Sequence, residues 1–310
     1  MNNRDGTNAL DLADAVLAEK GRSFHWARHL LGKRHAARAT RLYAFCRHLD
    51  DLADEAGSKE RARASLDAAR RDISTGSSSD PVIRDGLSLM RECGIGEALV
   101  LELISGALSD LDEVRMRDEA GLLRYCYQVA GTVGLMMCRV LDVDDPRAFP
   151  HAVDLGIAMQ LTNICRDVAA DAAMGRRYLP ATLIGDLQAG DLVDPTIDRR
   201  DTIREGILSL LTLADDYYRS GEAGLSYLPL QARAGILVAA RVYHGIGEEL
   251  RSRGGDCWSR RAEVSSLRKA LLSTVALVGT ARDKSFWITG STHKRDLHSC
   301  LTGLPGINLP

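Results

Sequence analysis

Apolar residues recur at the i, i+3, i+4, i+7 spacing of amphipathic helices along most of the chain, and no segment alternates convincingly with a strand's period of two. The pattern predicts helices at about 8–19, 23–31, 35–56, 59–73, 81–92, 96–112, 119–141, 147–173, 180–187, 199–221, 229–253 and 262–282. Two breaks stand out: the Ser/Gly stretch "STGSSSDP" (74–81), where Pro81 is placed to open the next helix, and the two-proline turn "DVDDPRAFP" (142–150). Periodic helices continue on both sides of each, so neither reads as a domain linker. Beyond Asp283 the chain loses its periodicity and gathers Gly and Pro. The expectation is an all-α, single-domain body over residues 1–283 and a C-terminal extension, 284–310, with no assigned role.

One predicted helix carries an electrostatic oddity. In "YAFCRHLDDLADE" (43–55), Leu42, Phe45, Cys46, Leu49, Leu52 and Ala53 form an apolar face. At 100° per residue, Tyr43, Arg47, Asp50 and Asp54 share a stripe about 60° wide, with Asp51 at its edge. Carboxylates four apart on a solvated helix repel by only a few tenths of a kcal/mol. Lining a cleft at ~6 Å and an effective dielectric near 20, the same pair costs roughly 3 kcal/mol. The arrangement recurs in "AMQLTNICRDVAADAAMGRRYLP" (158–180), where Gln160, Asn163, Asp167 and Asp171 form a second polar stripe, with Arg166 beside it and Arg176, Arg177 and Tyr178 where the helix runs out.

A single acidic stripe is more often a solvated face. Two, each on a strongly apolar helix and each flanked by arginine, point to Mg²⁺, which takes oxygen ligands and is commonly held by one or two carboxylates plus substrate phosphates. Such ions would cancel the repulsion and make diphosphate a better leaving group. On residues alone, the reading is a metal-dependent enzyme that ionises a lipophilic diphosphate.

The bulk numbers allow this. Hydrophobic content of 45% and charged content of 26% are ordinary for a globular protein, and a net charge of −2 argues against a nucleic-acid partner. The seven cysteines are scattered without a C-x-x-C pair, as expected of reduced thiols. The first residues lack the apolar core of a signal peptide, and the apolar run Leu271 to Gly279 is too short to span a bilayer. A cytoplasmic location is expected, with reversible membrane association as a further option for an enzyme of lipophilic substrates. The oligomeric state is left undefined.

"RSFHWARHLL", "LYAFCRHLDDLADE", "YCYQVAGTVG" and "QLTNICRDVAADAAMGRRYLP", spread over roughly residues 20–180, together resemble the squalene/phytoene synthase family, with "AARVYHGI" (239–246) extending the likeness less sharply. The resemblance implies an isoprenoid-synthase fold around a hydrophobic cavity. It implies that Asp50, Asp51 and Asp54, with Asp167 and Asp171, bind Mg²⁺–diphosphate clusters (Mn²⁺ as the alternative ion). Gln160 and Asn163 match polar residues holding metal or diphosphate. Arg47, Arg166 and Arg177 match basic residues near the diphosphates. Ser23, Phe24, Tyr43, Tyr125 and Tyr243 match residues of the mouth and cavity, while Val129, Gly131, Val133 and Gly134 match a stretch that gives the prenyl chain room.

The implied activity is head-to-head condensation of two prenyl diphosphates through a cyclopropylcarbinyl diphosphate. Two geranylgeranyl diphosphates giving phytoene is the leading expectation. The alternative is farnesyl diphosphate giving dehydrosqualene, presqualene diphosphate or squalene, with NADPH needed only for squalene. A reading of another class, a non-catalytic scaffold, is disfavoured because all five aspartates remain. The chain departs from the pattern at Ala170, Cys165 and Arg28. His25 and His29, four apart, read as surface or mouth residues, and the basic run Lys33, Arg34, Arg38 and Arg41 as a solvated helix face, with attraction of anions as the weaker reading.

Overall fold

The computed structural model describes residues 17, 22–281, 283–290 and 292–307. The side chains of residues 22, 23, 284 and 285 lie outside that description, as does the helix expected at 8–19 apart from Leu17, which is buried. Helices in order are α1 (Arg22–Arg28), α2 (Lys33–Asp54), α3 (Lys59–Thr75), α4 (Pro81–Cys93), α5 (Glu97–Ser109), α6 (Glu119–Cys126), α7 (Thr132–Val140), α8 (Ala148–Ala173), α9 (Ala181–Ile184), α10 (Ala189–Val193), α11 (Ile197–Ala223), α12 (Leu230–Ser252), α13 (Ser266–Thr280) and α14 (Lys284–Trp287). Among the described residues the one β feature is an isolated bridge between Arg115 and Arg177. The fold is all-α, as the periodicity predicts.

Local chemistry explains several boundaries. Ser58 accepts from the Arg61 amide to cap α3, Asp80 accepts from the Val82 and Ile83 amides to cap α4 with Pro81 at its first turn, and Asp118 caps α6. Gly76 and Gly94 close α3 and α4 in the left-handed conformation.

Helix α8 is buried on most of its circumference and packs against α7, α10, α11 and α12, so it runs through the middle of the bundle. Helix α2 buries Ala39, Leu42, Phe45 and Leu49 and packs on α3 and α4. The helix expected to run unbroken over 119–141 is interrupted by a π-helical turn, Tyr127–Gly131. The extra residue per turn re-aims side chains in a way that apolar periodicity does not reveal.

The basic run on α2 is not a free cationic face. Arg38 bonds Glu92 and Asp142, Arg41 bonds Asp85 and Glu92, and Arg34 and His35 both engage Asp142. These pairs tie α2 to α4 and to the turn after α7.

Described residues of the segment expected as an extension, between 297 and 307, pack on the helical body. Leu301 and Ile307 join the main core, Tyr217 donates to the Leu297 carbonyl at 2.8 Å, and Arg124 donates to the Cys300 carbonyl at 2.7 Å. Its contacts come from irregular and 3-10 backbone, which has no periodic signature to read. No helix among the described residues is long and apolar enough to cross a membrane.

Candidate active site

Facing stretches of α2 and α8 line a polar cleft of about 260 Å³, bounded by Arg47, Asp50, Asp54, Gln160, Asn163, Arg166, Asp167 and Asp171. The two acidic stripes predicted separately therefore meet across one space. Behind it lies an apolar cavity of about 320 Å³, walled by residues including Phe24, Leu42, Tyr43, Val133, Gly134, Met159 and Tyr243. Arg47, Asp50, Val129, Gln160 and Asn163 border both. Val129 sits in the π turn, which places it at this junction.

The electrostatics are unequal along the stripes. Burial, reinforced by Asp54 and Asp51 and only partly opposed by Arg47, raises the Asp50 carboxyl to about 7. Burial and the neighbouring Asp167 charge raise Asp171 to about 7 as well. Burial also acts on Asp167, but hydrogen bonds from Arg166 and Arg261 outweigh it and hold that carboxyl below its ordinary value. Arg261 forks onto the two oxygens of Asp167 at 2.8 and 3.0 Å.

The residues fit a hard divalent cation. The donors are all oxygens, and Asn163, which lines the cleft with Asp50 and Asp167, has a buried Oδ1 atom with no hydrogen-bond partner. Burial first, and neighbouring carboxylates after it, push two of these carboxyls up to about 7, so a bound cation would favour their ionised, ligating form. Among the described residues the tight three-ligand clusters of acidic and imidazole side chains lie elsewhere. The cleft thus offers one or two carboxylates at a time, as Mg²⁺ sites that also use phosphate oxygens do.

Most of the predicted site residues are brought together, and three are placed differently. Asp51 does not line the cleft; it accepts from the Arg47 Nε atom at 2.7 Å and orients that guanidinium. Tyr125 lies in the polar cleft, not the apolar cavity, and donates to Asp110 at 2.8 Å. Arg177 points away: it is buried and donates to the Leu179 carbonyl at 3.3 Å, while Arg176 faces the cleft and donates to Asp54 at 3.1 Å. Gly175, at φ 79°, turns the chain just before this pair, and the Arg177 backbone then pairs with Val114 and Met116. Ser23 falls in α1, its side chain outside the described residues. Phe24 packs its ring against Tyr243 at 5.1 Å and Tyr43 at 6.1 Å, closing an aromatic edge of the cavity.

Sequence reasoning missed Asp110 and Arg261 and assigned no role to Tyr178. Asp110 accepts from Tyr178 at 2.7 Å and Tyr125 at 2.8 Å, and burial raises its carboxyl despite those bonds. It sits among ordinary acids in "SDLDE", and Arg261 lies 94 residues from its partner, so neither carries a local signal.

Residues 17–268 match the family model described as squalene/phytoene synthase. The chain is 33% identical to a phytoene synthase of Pseudescherichia vulneris over 293 residues, covering 90% of this chain and 94% of that one. It is 38% identical to a phytoene synthase of Cereibacter sphaeroides over 274 residues, covering 84% and 77%. Among solved structures, a dehydrosqualene synthase superposes with a TM-score of 0.77 at 27% identity, covering 90% of this chain and 99% of that one. A squalene synthase from Alicyclobacillus acidocaldarius shares the fold at a TM-score of 0.68 and 20% identity, covering 80% and 94%. With its paired acidic stripes, arginine-rich cleft and adjoining apolar cavity, the chain belongs to the squalene/phytoene synthase family.

Proposed function

We propose that this protein is a prenyltransferase that joins two geranylgeranyl diphosphates head to head to give phytoene. The carrying observation is the shared wall: a cleft of acids and guanidiniums opens into an apolar cavity through Arg47, Asp50, Val129, Gln160 and Asn163. A diphosphate with a long hydrocarbon tail has one end suited to each space. The phytoene synthases at 33–38% identity support the C20 substrate.

Asp50, Asp54, Asp167, Asp171 and Asn163 are the residues that would hold Mg²⁺, or Mn²⁺ on the same oxygens. Bound there, the ions neutralise charge on the departing diphosphate. Arg47, Arg166 and Arg176 stand in the same cleft and are placed to bind phosphate oxygens. Cleavage of one C–O bond yields an allylic cation, which adds to the double bond of the second substrate. Loss of a proton closes the cyclopropane. Release of the second diphosphate, rearrangement and loss of another proton give the hydrocarbon.

Within the cavity, the faces of Phe24, Tyr43 and Tyr243 offer π-density to these cations, and the apolar walls exclude water that would trap them. Burial pushes the Tyr43 phenol up to about 12, so it meets the cation as a neutral ring.

The 27% identical dehydrosqualene synthase keeps one rival in view, farnesyl diphosphate as substrate. Incubating purified protein and Mg²⁺ with either diphosphate, with and without NADPH, and identifying the hydrocarbon by mass separates the two. A C40 product from geranylgeranyl diphosphate alone, independent of NADPH, is expected. A C30 product as the main species would replace this assignment, and no product from either substrate would support a scaffold.

Reversible attachment to a membrane surface is part of the same proposal. Helix α13 leaves Leu267, Leu271, Val275 and Val278 exposed, and the half-exposed Trp26 and Trp287 hydrogen-bond to Ser273 and to the Thr280 carbonyl at its edges. Tryptophan beside an apolar surface suits the lipid–water boundary. Co-flotation with lipid vesicles should fall at least several-fold in Leu271→Glu/Val275→Glu; equal flotation of that variant would exclude α13 as the contact.

A further inference from the structure

We propose that Asp154, His293 and His298 form a second metal site, distinct from the acidic cleft and of the zinc class, that fastens the C-terminal segment to helix α8. The ligating atoms of these three side chains lie within 4.8 Å of one another. Two donors each ~2.1 Å from a shared ion sit at most ~4.2 Å apart, so small ring rotations complete the set. The Nε2 atoms of His293 and His298 approach different oxygens of one carboxylate, at 2.8 and 2.7 Å. The Asp154 carboxylate is fully buried, and the imidazole side chains are only 11% and 7% exposed.

The chemistry selects the ion. Two imidazoles and one carboxylate are the borderline-soft donors that Zn²⁺ takes, whereas Mg²⁺ prefers all-oxygen sets such as the cleft. The histidines are five apart, in "HKRDLH", within the spacing common to paired histidine zinc ligands. A supporting shell is already present: Ser220 donates its hydroxyl to Asp154 Oδ2 at 2.5 Å, and the His151 ring packs edge-on to His293 at 5.4 Å.

The other tight cluster, Asp215, His244 and Glu248, is a contrast. It is partly exposed, and Arg251 already bonds Asp215 at 2.6 Å, a guanidinium standing where a cation would. Among the described residues, the hydrogen-bond partners of the Asp154 carboxylate are the two imidazoles and the Ser220 hydroxyl, with no guanidinium or ammonium on it.

The site has a structural consequence. It bridges residues 139 and 144 positions apart, closing the irregular terminal segment onto the helix that carries Gln160, Asn163, Asp167 and Asp171. Neighbouring residues of α8, His151, Ala152 and Leu155, line the apolar cavity. A clasp at Asp154 therefore braces a cavity wall.

The test uses untagged full-length protein purified without chelator, kept in excess Mg²⁺ so that the acidic cleft does not compete. Elemental analysis is expected to find about one zinc per chain in the wild type and loss of most of it in His298→Ala and in Asp154→Asn. After chelator treatment, ZnCl₂ at about a hundredfold excess over its Kd should raise the melting temperature by roughly 4 °C in the wild type and by less than 1 °C in either variant. If His298→Ala fails to fold, His293→Gln serves in its place. Absence of zinc and of any zinc-induced shift in the wild type overturns the proposal and leaves a hydrogen-bonded carboxylate–imidazole node. An equal shift in wild type and variants overturns it too, by locating the zinc elsewhere.

Discussion

Asp50→Ala is expected to lower turnover by on the order of 10³-fold, and Asp167→Ala by a similar factor, with helical circular dichroism unchanged. Each substitution removes a charged oxygen donor from one side of the cleft, and the transition state for diphosphate departure is the point at which that loss is felt most. The two should part in stability. Asp50 is a buried acid beside Asp54 and Asp51, raised to about 7, so its ionised form costs folding free energy increasingly as pH rises from near 4 towards 7. Asp50→Ala should therefore melt at or above the wild-type temperature in metal-free buffer at pH 7.5. Asp167 accepts from both Arg166 and Arg261, and its removal leaves two guanidiniums without their partner, so Asp167→Ala should melt lower. Turnover within tenfold of wild type in either variant would remove that aspartate from the metal set.

The second large effect concerns glycines that look exchangeable. Gly134→Ala and Gly156→Ala are each expected to cost ~2–3 kcal/mol, a drop of roughly 3–5 °C in melting temperature for a chain of this length. A Cβ at Gly134 would stand 2.2 Å from the Ala152 carbonyl oxygen, and one at Gly156 would stand 2.3 Å from the Ala130 carbonyl oxygen. Both obstacles are backbone, which no side-chain rotation relieves. Glycine at 134 thus sets how closely α7 and α8 approach, in addition to lining the cavity. Gly190→Ala is the control, since nothing lies within 4 Å of its Cβ position. It should be neutral or slightly stabilising through the unfolded chain. Equal melting of Gly134→Ala and Gly190→Ala would contradict the close approach.

Much of the site was legible because it is helical and local. On a helix the spacing of Asp50 and Asp54, or of Asn163, Asp167 and Asp171, determines that the side chains share a face whatever the rest of the chain does. Two such faces, each backed by an apolar stripe, point to a metal-bound diphosphate, and with the motifs at 22–31 and 125–134 they carry the family resemblance. Legibility stopped where the helices stop. Beyond Ala173 the direction of the chain depends on the left-handed Gly175, so the choice between Arg176 and Arg177 belonged to backbone geometry, not to spacing.

The π turn at Tyr127–Gly131 is likewise invisible to a 3.6-residue period, although it places Val129 at the junction of cleft and cavity. Asp110 and Arg261 reach the cleft from α5's end and from the loop before α13, through contacts that no short-range rule encodes. The same holds for His293 and His298, whose segment has no period at all yet meets a buried carboxylate on the central helix. By itself, then, the sequence determined the helices, their faces and the two acidic stripes, since each follows from neighbours within a few turns. Only the tertiary structure decided which arginines serve the cleft, which glycines hold α7 against α8 and where the C-terminal segment is fastened, since each of these depends on how distant segments pack or on the path the backbone takes once a helix has ended.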